Sequence, residues 1–457
     1  MQIDLGGVQA VVVGLYKCPT SRHLIFRFGD RNGACAFIGE LTQVITMADV
    51  QLEAVLDPLL NIGISFNGLG TLGVDPALLA KFDAVYKAGP DAVALGDVTG
   101  SRSDPAGWWE GRFDNEDVHC VVHIYCRSDE AAQDATRMVR QMALGCGLTE
   151  LIPRMDSTIL EAHSLGGAKL HFGYTDGISH PDICWSDVPV TPPQVDFRNF
   201  LLGYSTSEFP SAPGDGPAAD LVRDSTYGAF RWLYQDVAAF NLFLSTQGPR
   251  LFPELATVDA EELLAAKMMG RWRNGAPLVL SPDRPDSELA TSNDFSYATQ
   301  DPDGHRCPFS AHIRVVNPRD TPLDPIVEGA PQILRRGMPY GPPLQGSGDD
   351  GADRGIVGIF LCADLRRQFY TLIDWVNRND FSPVYNVNRR TQDALVGNRA
   401  VPGASADFTL PGKGGSITVK GLSDFVHTKG TAFLLYPGKN ALVALSKAAS
   451  AADRART

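Results

Sequence analysis

Val118-His119-Cys120-Val121-Val122-His123-Ile124-Tyr125-Cys126 is followed, after one residue, by a run of helical apolar spacing from Ser128 to residue 148. The first stretch is rich in valine and isoleucine and predicts a strand. The second predicts a long helix, with Ser128 as its N-cap and Asp129 and Glu130 against the positive end of the helix dipole. Working outward, residues 8–13, 23–28 and 61–66 also predict strands, and 47–60 and 75–88 predict helices. The pattern recurs later: strands at 227–235, 355–362 and 431–436, and helices at 237–245, 259–269 and 365–377. The strands are too few and too short for an all-parallel sheet. The expected fold is α+β, an antiparallel sheet with helices packed on it, built as two related halves. Pro192, Pro193, Pro210, Pro213 and Pro217 mark the connection between them, and the division is placed at 1–200 and 201–457.

A length of 457 residues exceeds one ordinary core, in keeping with two halves. A hydrophobic fraction of 44% and a charged fraction of 20% are those of a soluble globular enzyme. No run is long and apolar enough for a bilayer span, and the first thirty residues lack a basic-then-apolar leader and a twin-arginine pair. The expectation is a cytoplasmic protein without a membrane partner. A formal net charge of -13 argues against a nucleic-acid partner. The eight cysteines (18, 35, 120, 126, 146, 184, 307 and 362) form no CxxC and no CxxCH. Zinc ribbons and c-type haem attachment are thereby disfavoured, and buried thiols are expected.

Two distant runs carry the chemistry. Gly173-Tyr174-Thr175-Asp176-Gly177-Ile178-Ser179 sets an acid between glycines that permit a tight turn and close approach. Cys307-Pro308-Phe309-Ser310-Ala311-His312-Ile313-Arg314 sets a histidine beside small residues, with Arg314 and Arg319 able to meet carboxylates. Arg335 follows, ahead of Gly337 and Pro339. Taken singly, each has an ordinary alternative: a turn aspartate, a core histidine, a surface arginine. His119 and His123 lie in a predicted strand, where the i, i+4 zinc spacing of a helix does not apply. GxSxG, Walker and GxGxxG motifs do not occur.

Together the runs resemble the dye-decolourising (DyP-type) haem peroxidases. Residues 173–179 resemble that family's GxxDG signature, 307–319 its CPFxAHIRxxNPR block, and 333–341 its arginine-bearing Pro-Tyr-Gly segment. The resemblance runs in order through most of the chain. It implies duplicated ferredoxin-like domains, with one haem b per chain held mainly by the second half. It implies His312 as the axial ligand of the haem iron, Asp176 as the distal acid and Arg335 as the distal arginine. It further implies Asp393 as the acceptor of a hydrogen bond from the proximal imidazole, Arg314 near a haem propionate, and Phe360 lining the distal pocket. The implied function is reduction of hydrogen peroxide at the expense of dyes, phenolics or other small one-electron donors. A homo-oligomer is compatible with such sheet-forming domains. The competing reading is a haem-handling protein with little turnover, which needs His312 but has no use for Asp176 and Arg335. Trp232, Trp272, Trp375 and Tyr340 are candidate electron relays, with core packing as the ordinary alternative. Tyr174, His180 and Gly337 depart from the family pattern, where phenylalanine, an amide residue and asparagine respectively are found in other members.

Overall fold

The computed structural model describes residues 3–14, 16–49, 57–191, 193–209, 213–321, 323, 330–384, 391–412 and 414–454, the last of these from 448 onward by backbone alone. Among them the strands are β1 (Thr20–Arg27), β2 (Leu59–Ile64), β3 (Cys120–Cys126), β4 (Thr149–Leu151), β5 (Leu160–His163), β6 (Asp182–Cys184), β7 (Gln194–Asp196), β8 (Thr226–Gln235), β9 (Leu334–Tyr340), β10 (Gly355–Cys362), β11 (Asp407–Leu410), β12 (Ile417–Lys420) and β13 (Val426–Tyr436). Nine of them form one sheet in the order β4-β1-β3-β2-β13-β8-β10-β9, with β5 also pairing β1. Its ladders are antiparallel.

The order contains a repeat. In the first half, β1, helix Arg31–Thr42, β2, β3, helix Asp129–Gly145 and β4 take sheet positions 4-1-3-2. In the second half, β8, β9, β10 and β13 repeat that order, with helices Val237–Leu251 and Thr257–Met269 after β8 and Thr371–Arg378 after β10. Each half is a β-α-β-β-α-β unit of ferredoxin-like topology. The units join edge to edge where Leu435 of β13 faces Ile64 of β2. The expected α+β architecture is therefore the observed one.

The local chemistry explains most elements. All seven residues of β3 are buried, as a central strand requires. The Ser128 hydroxyl accepts the Ala131 amide at 3.1 Å and starts the next helix. Four expectations need correction. Residues 10–13 form a helical turn, not a strand. The Val11 amide bonds the Asn61 side chain, and the Gln9 side chain pairs with Ile62, so side chains replace a ladder. A run of buried valines has no period to tell the two apart. Within 47–60, residues 50–56 lie outside the described residues, and the described ends are not helical: Met47 bridges Gln9, and Leu59 and Leu60 belong to β2. The helix expected at 75–88 is two short ones, Pro76–Leu79 and Ala84–Ala88, capped separately by Asp75 and Asp83. The helix at 365–377 opens with a wide π turn, Leu365–Tyr370. Strand β9 gave no strand signal because of Gly337 and Pro339. It is the edge of the sheet, where a proline omits no needed ladder bond.

A histidine pair sits in the core. His23 Nδ1 lies 2.9 Å from His123 Nδ1, and the Tyr436 hydroxyl lies 2.9 Å from His123 Nε2. Burial lowers His23 to about 3 and holds His123 well below its ordinary value. Elsewhere, burial and then the Arg102 cation lower His427 to about 4. In the unfolded chain these rings take protons near the usual histidine value of about 6.5. Between there and about 3 the unfolded state binds more protons, so stability is full above that window and is lost as pH falls through it. The thermal midpoint is expected to fall steadily from pH 7 to pH 4, and His427→Gln to flatten part of that slope. Calorimetry across the pH range measures both.

Candidate active site

The Asp176 turn is built by its glycines. Gly173 and Gly177 have φ of 88° and 81°, left-handed values that disfavour other residues. A Cβ at Gly173 would sit 2.7 Å from Arg273 Cδ. Lys169 Nζ clamps the turn through Thr175 Oγ1 at 2.8 Å and the Arg273 carbonyl at 2.6 Å. The Tyr174 hydroxyl donates to the Ala265 carbonyl at 2.7 Å inside the core. The Asp176 amide bonds the Ala168 carbonyl, while its carboxylate has no hydrogen bond or ion pair among the described residues.

His312 opens a short helix, His312–Val316. Its Nδ1 lies 2.7 Å from Asp393 Oδ2. The carboxylate is fully buried, and its other oxygen accepts the Leu395 and Val396 amides, both at 2.9 Å. A carboxylate only accepts, so Nδ1 carries the proton and Nε2 presents a lone pair. The His312 side chain keeps 22% of its surface exposed, so that lone pair is reachable. Behind the carboxylate, Arg399 donates to the Asp393 and Ala394 carbonyls and to Gln392.

Arg335 lies on β9 directly opposite Phe360 on β10, so the two side chains share a sheet face. Next along that face, Gly337 stands opposite Gly358. A Cβ at Gly358 would meet nothing nearer than Gly337 Cα at 3.6 Å, while a Cβ at Gly337 would lie 3.3 Å from Ile356 Cγ2, so the two glycines leave a small gap between Phe360 and Ile356. Arg335 donates to the Ser179 carbonyl at 2.8 Å, which ties β9 to the Asp176 loop.

One loop brings the two runs together. Residues 270–277 are closed by the Arg271–Pro277 bridge. At one end a Cβ on Gly270 would sit 2.4 Å from Ile313, beside His312; further along, a Cβ on Gly275 would sit 2.6 Å from Ile178, two residues past Asp176. The loop thus touches the His312 and Asp176 segments, while Asp393 is tied to His312 and Arg335, facing Phe360, is tied to the Asp176 loop.

Arg314 does not belong to this set. Its side chain has no accessible surface, donates to Asp301 Oδ2 at 3.2 Å and the Cys307 carbonyl at 2.9 Å, and lies between the Tyr297 and Phe309 rings. It braces the loop ahead of His312 and is not open to a ligand. The cations without an anion are elsewhere. Arg271 and Arg319 both donate to Asn293 Oδ1, at 2.9 and 2.7 Å. Neither has a carboxylate within salt-bridge distance among the described residues. Burial, then the Arg319 charge, lowers Arg271 to about 10, and Arg335 adds to the repulsion. Arg319 also holds a φ of 56°, a left-handed value rare outside glycine. Composition gave no sign of Arg271; its one sequence cue is its place in Gly270-Arg271-Trp272-Arg273.

These features fit an iron porphyrin: an imidazole with a free lone pair, a pair of facing glycines on the sheet beside Phe360 and two guanidiniums without a carboxylate partner among the described residues. No cluster of three or more metal-ligating side chains occurs among the described residues. The four candidate relay aromatics, Trp232, Trp272, Trp375 and Tyr340, are all buried, and Trp232 packs under the Lys429 ammonium at 4.0 Å.

No protein-family profile matches the chain. Curated relatives do. A dye-decolorizing peroxidase of Mycena epipterygia is 30% identical over 405 residues, covering 83% of this chain and 73% of the relative. The dye-decolorizing peroxidase msp1 of Mycetinis scorodonius is 29% identical over 480 residues, covering 96% and 87%. Among solved structures, a dye-decolorizing peroxidase in complex with 2,6-dimethoxyphenol superposes with a TM-score of 0.81 at 25% identity, covering 97% of this chain and all of that one. A DyP-type peroxidase from Auricularia auricula-judae gives 0.82 at 24% identity, over 98% of this chain, and speaks to the fold alone. Fold and relatives define the class, a haem peroxidase that reduces hydrogen peroxide. The chain belongs to the dye-decolorizing peroxidases.

The place of Arg314 has a measurable consequence. Arg314→Met leaves the Asp301 carboxylate buried without its cation, and a broken buried pair costs about 3–5 kcal/mol. Urea denaturation of the variant is expected to show a loss of that size, with the folded fraction still taking up haem.

Proposed function

We propose that this peroxidase binds one haem b per chain between His312 and the Asp176–Arg335 pair, and oxidises dyes and phenolic donors. The observation that carries the proposal is the contact of one loop, 270–277, with both Ile313 and Ile178. His312 would hold the iron through Nε2, and Asp393 fixes the ring and its tautomer. Arg271 and Arg319 hold the propionates, the role expected of Arg314 from sequence. Phe360 and the Gly337–Gly358 face form the wall against which the flat macrocycle lies. When bound, the haem supplies the centre at which the O–O bond is cleaved and the two oxidising equivalents passed to donors. Asp176, with an unencumbered carboxylate, takes a proton from the peroxide, the first step in moving a proton to the departing oxygen. Arg335, held by one bond to Ser179, stabilises the negative charge that grows on that oxygen. Support for phenolic donors comes from the relative solved with 2,6-dimethoxyphenol, and for dyes from the relatives' names. The repeated topology supports a division at 1–200 and 201–457, the second half holding most of the site.

Two substitutions test the assignment. His312→Ala is expected to lose most haem, read from the Soret-to-280 nm ratio after gel filtration. Arg335→Leu is expected to keep its haem and react with peroxide about a hundredfold more slowly in stopped flow. Parental behaviour of either variant removes that residue from its role.

A further inference from the structure

We propose that His180 is a second proton-handling group on the peroxide side of the site, relaying protons in concert with Asp176. The proposal rests on the site described above.

His180 lies four residues beyond Asp176, and its ring folds back over the turn: Nε2 sits 4.0 Å from where a Cβ on Gly177 would lie. Both ring nitrogens are buried, and neither has a hydrogen-bond partner among the described residues. A polar ring is buried in this way at a cost, unless something entering the site completes its bonds. The loop that carries it is fixed by Arg335, which donates to the carbonyl of Ser179, the preceding residue.

The charged groups acting on the ring are Arg335 and Arg336 on β9 and Asp176 on its own loop. Arg336 is fully committed, donating to the carbonyls of Val11, Val12 and Arg335. Burial first, then the two guanidinium charges, lower His180 to about 4 against the opposing pull of Asp176. The ring is therefore neutral above about pH 4. A neutral imidazole carries one N–H and one lone pair, so it can release a proton at one nitrogen while accepting one at the other.

Peroxide cleavage needs such a group. Asp176 breaks the O–H bond of the inner oxygen and takes its proton. The N–H of His180 gives a proton to the outer oxygen, forming the second O–H bond of a water molecule. The O–O bond breaks with its electron pair on that water. His180 recovers a proton at its other nitrogen from Asp176, which leaves the carboxylate ionised again and the imidazole neutral in its other tautomer. The two-electron deficit of the inner oxygen is met by the peroxidase activity already assigned to the site.

The test compares holoenzymes of the parent, His180→Phe, His180→Gln and Asp176→Asn, with haem content and thermal midpoint checked for each. Peroxide reaction rates are followed by stopped flow from pH 3 to 8. Cyanide affinity is read from the Soret shift over the same range, a readout free of turnover because hydrogen cyanide must shed a proton to bind. For the parent, both quantities are expected to fall as the pH nears about 4. His180→Phe is expected to lower both about tenfold above pH 5 and to abolish that acid limb, leaving the KM for the reducing donor unchanged. His180→Gln, which offers hydrogen bonds but no exchangeable lone pair, is expected to behave like His180→Phe. Parental rates and cyanide affinity in His180→Phe, or full rescue by His180→Gln, would overturn the relay. If Asp176→Asn then still lost a hundredfold or more, the site itself would stand without His180. Parental rates in Asp176→Asn would remove the site, and the relay with it.

Discussion

The hydrogen bond of 2.7 Å between His312 Nδ1 and a carboxylate without accessible surface decides which ring nitrogen is free. It joins segments 81 residues apart, one inserted between β8 and β9 and the other between β10 and β13. Asp393 is itself immobilised by two backbone amides, and Arg399 grips the carbonyls on either side of that bend. The imidazole therefore has one orientation and one tautomer before anything binds to it.

The functional side chains are divided between scaffold and insertions. Arg335 and Phe360 stand on strands, where the ladder fixes their spacing. Asp176 comes from the connection between the halves, and His312 and Asp393 from connections within the second half. The sheet supplies a rigid wall, and long loops bring acid, imidazole and carboxylate toward it. The strands of the first half carry none of this set; they extend the sheet, and their core holds the neutral histidine pair.

Strands with mixed periodicity and clear boundaries were legible in the chain, as were helices with a capping residue such as Ser128. Residues 8–13 were not, because continuous valine burial carries no period and the backbone there is satisfied by Gln9 and Asn61 side chains. Strand β9 was hidden by Gly337 and Pro339, residues an edge strand tolerates. The motifs drew attention to Asp176, His312 and Arg335. Proximity in sequence also drew attention to Arg314, whose burial beside Asp301 and two aromatic rings is a tertiary property that the sequence does not display. Arg271 and Arg319, 48 positions apart by number, meet through Asn293 and the Phe295 ring. The fate of His180 likewise depended on which way its ring folded.

In the role proposed for it, the Arg271–Arg319 pair has an outcome for cofactor capture. The chain as a whole carries a formal charge of -13, so a dianionic porphyrin is repelled as it approaches from a distance. Attraction by the two guanidiniums takes over only at short range, where their fields emerge from screening; at physiological salt that range is about 8 Å. Added electrolyte weakens the far repulsion more than the near attraction, which makes loading of the empty protein faster in moderately salty solution than in dilute buffer.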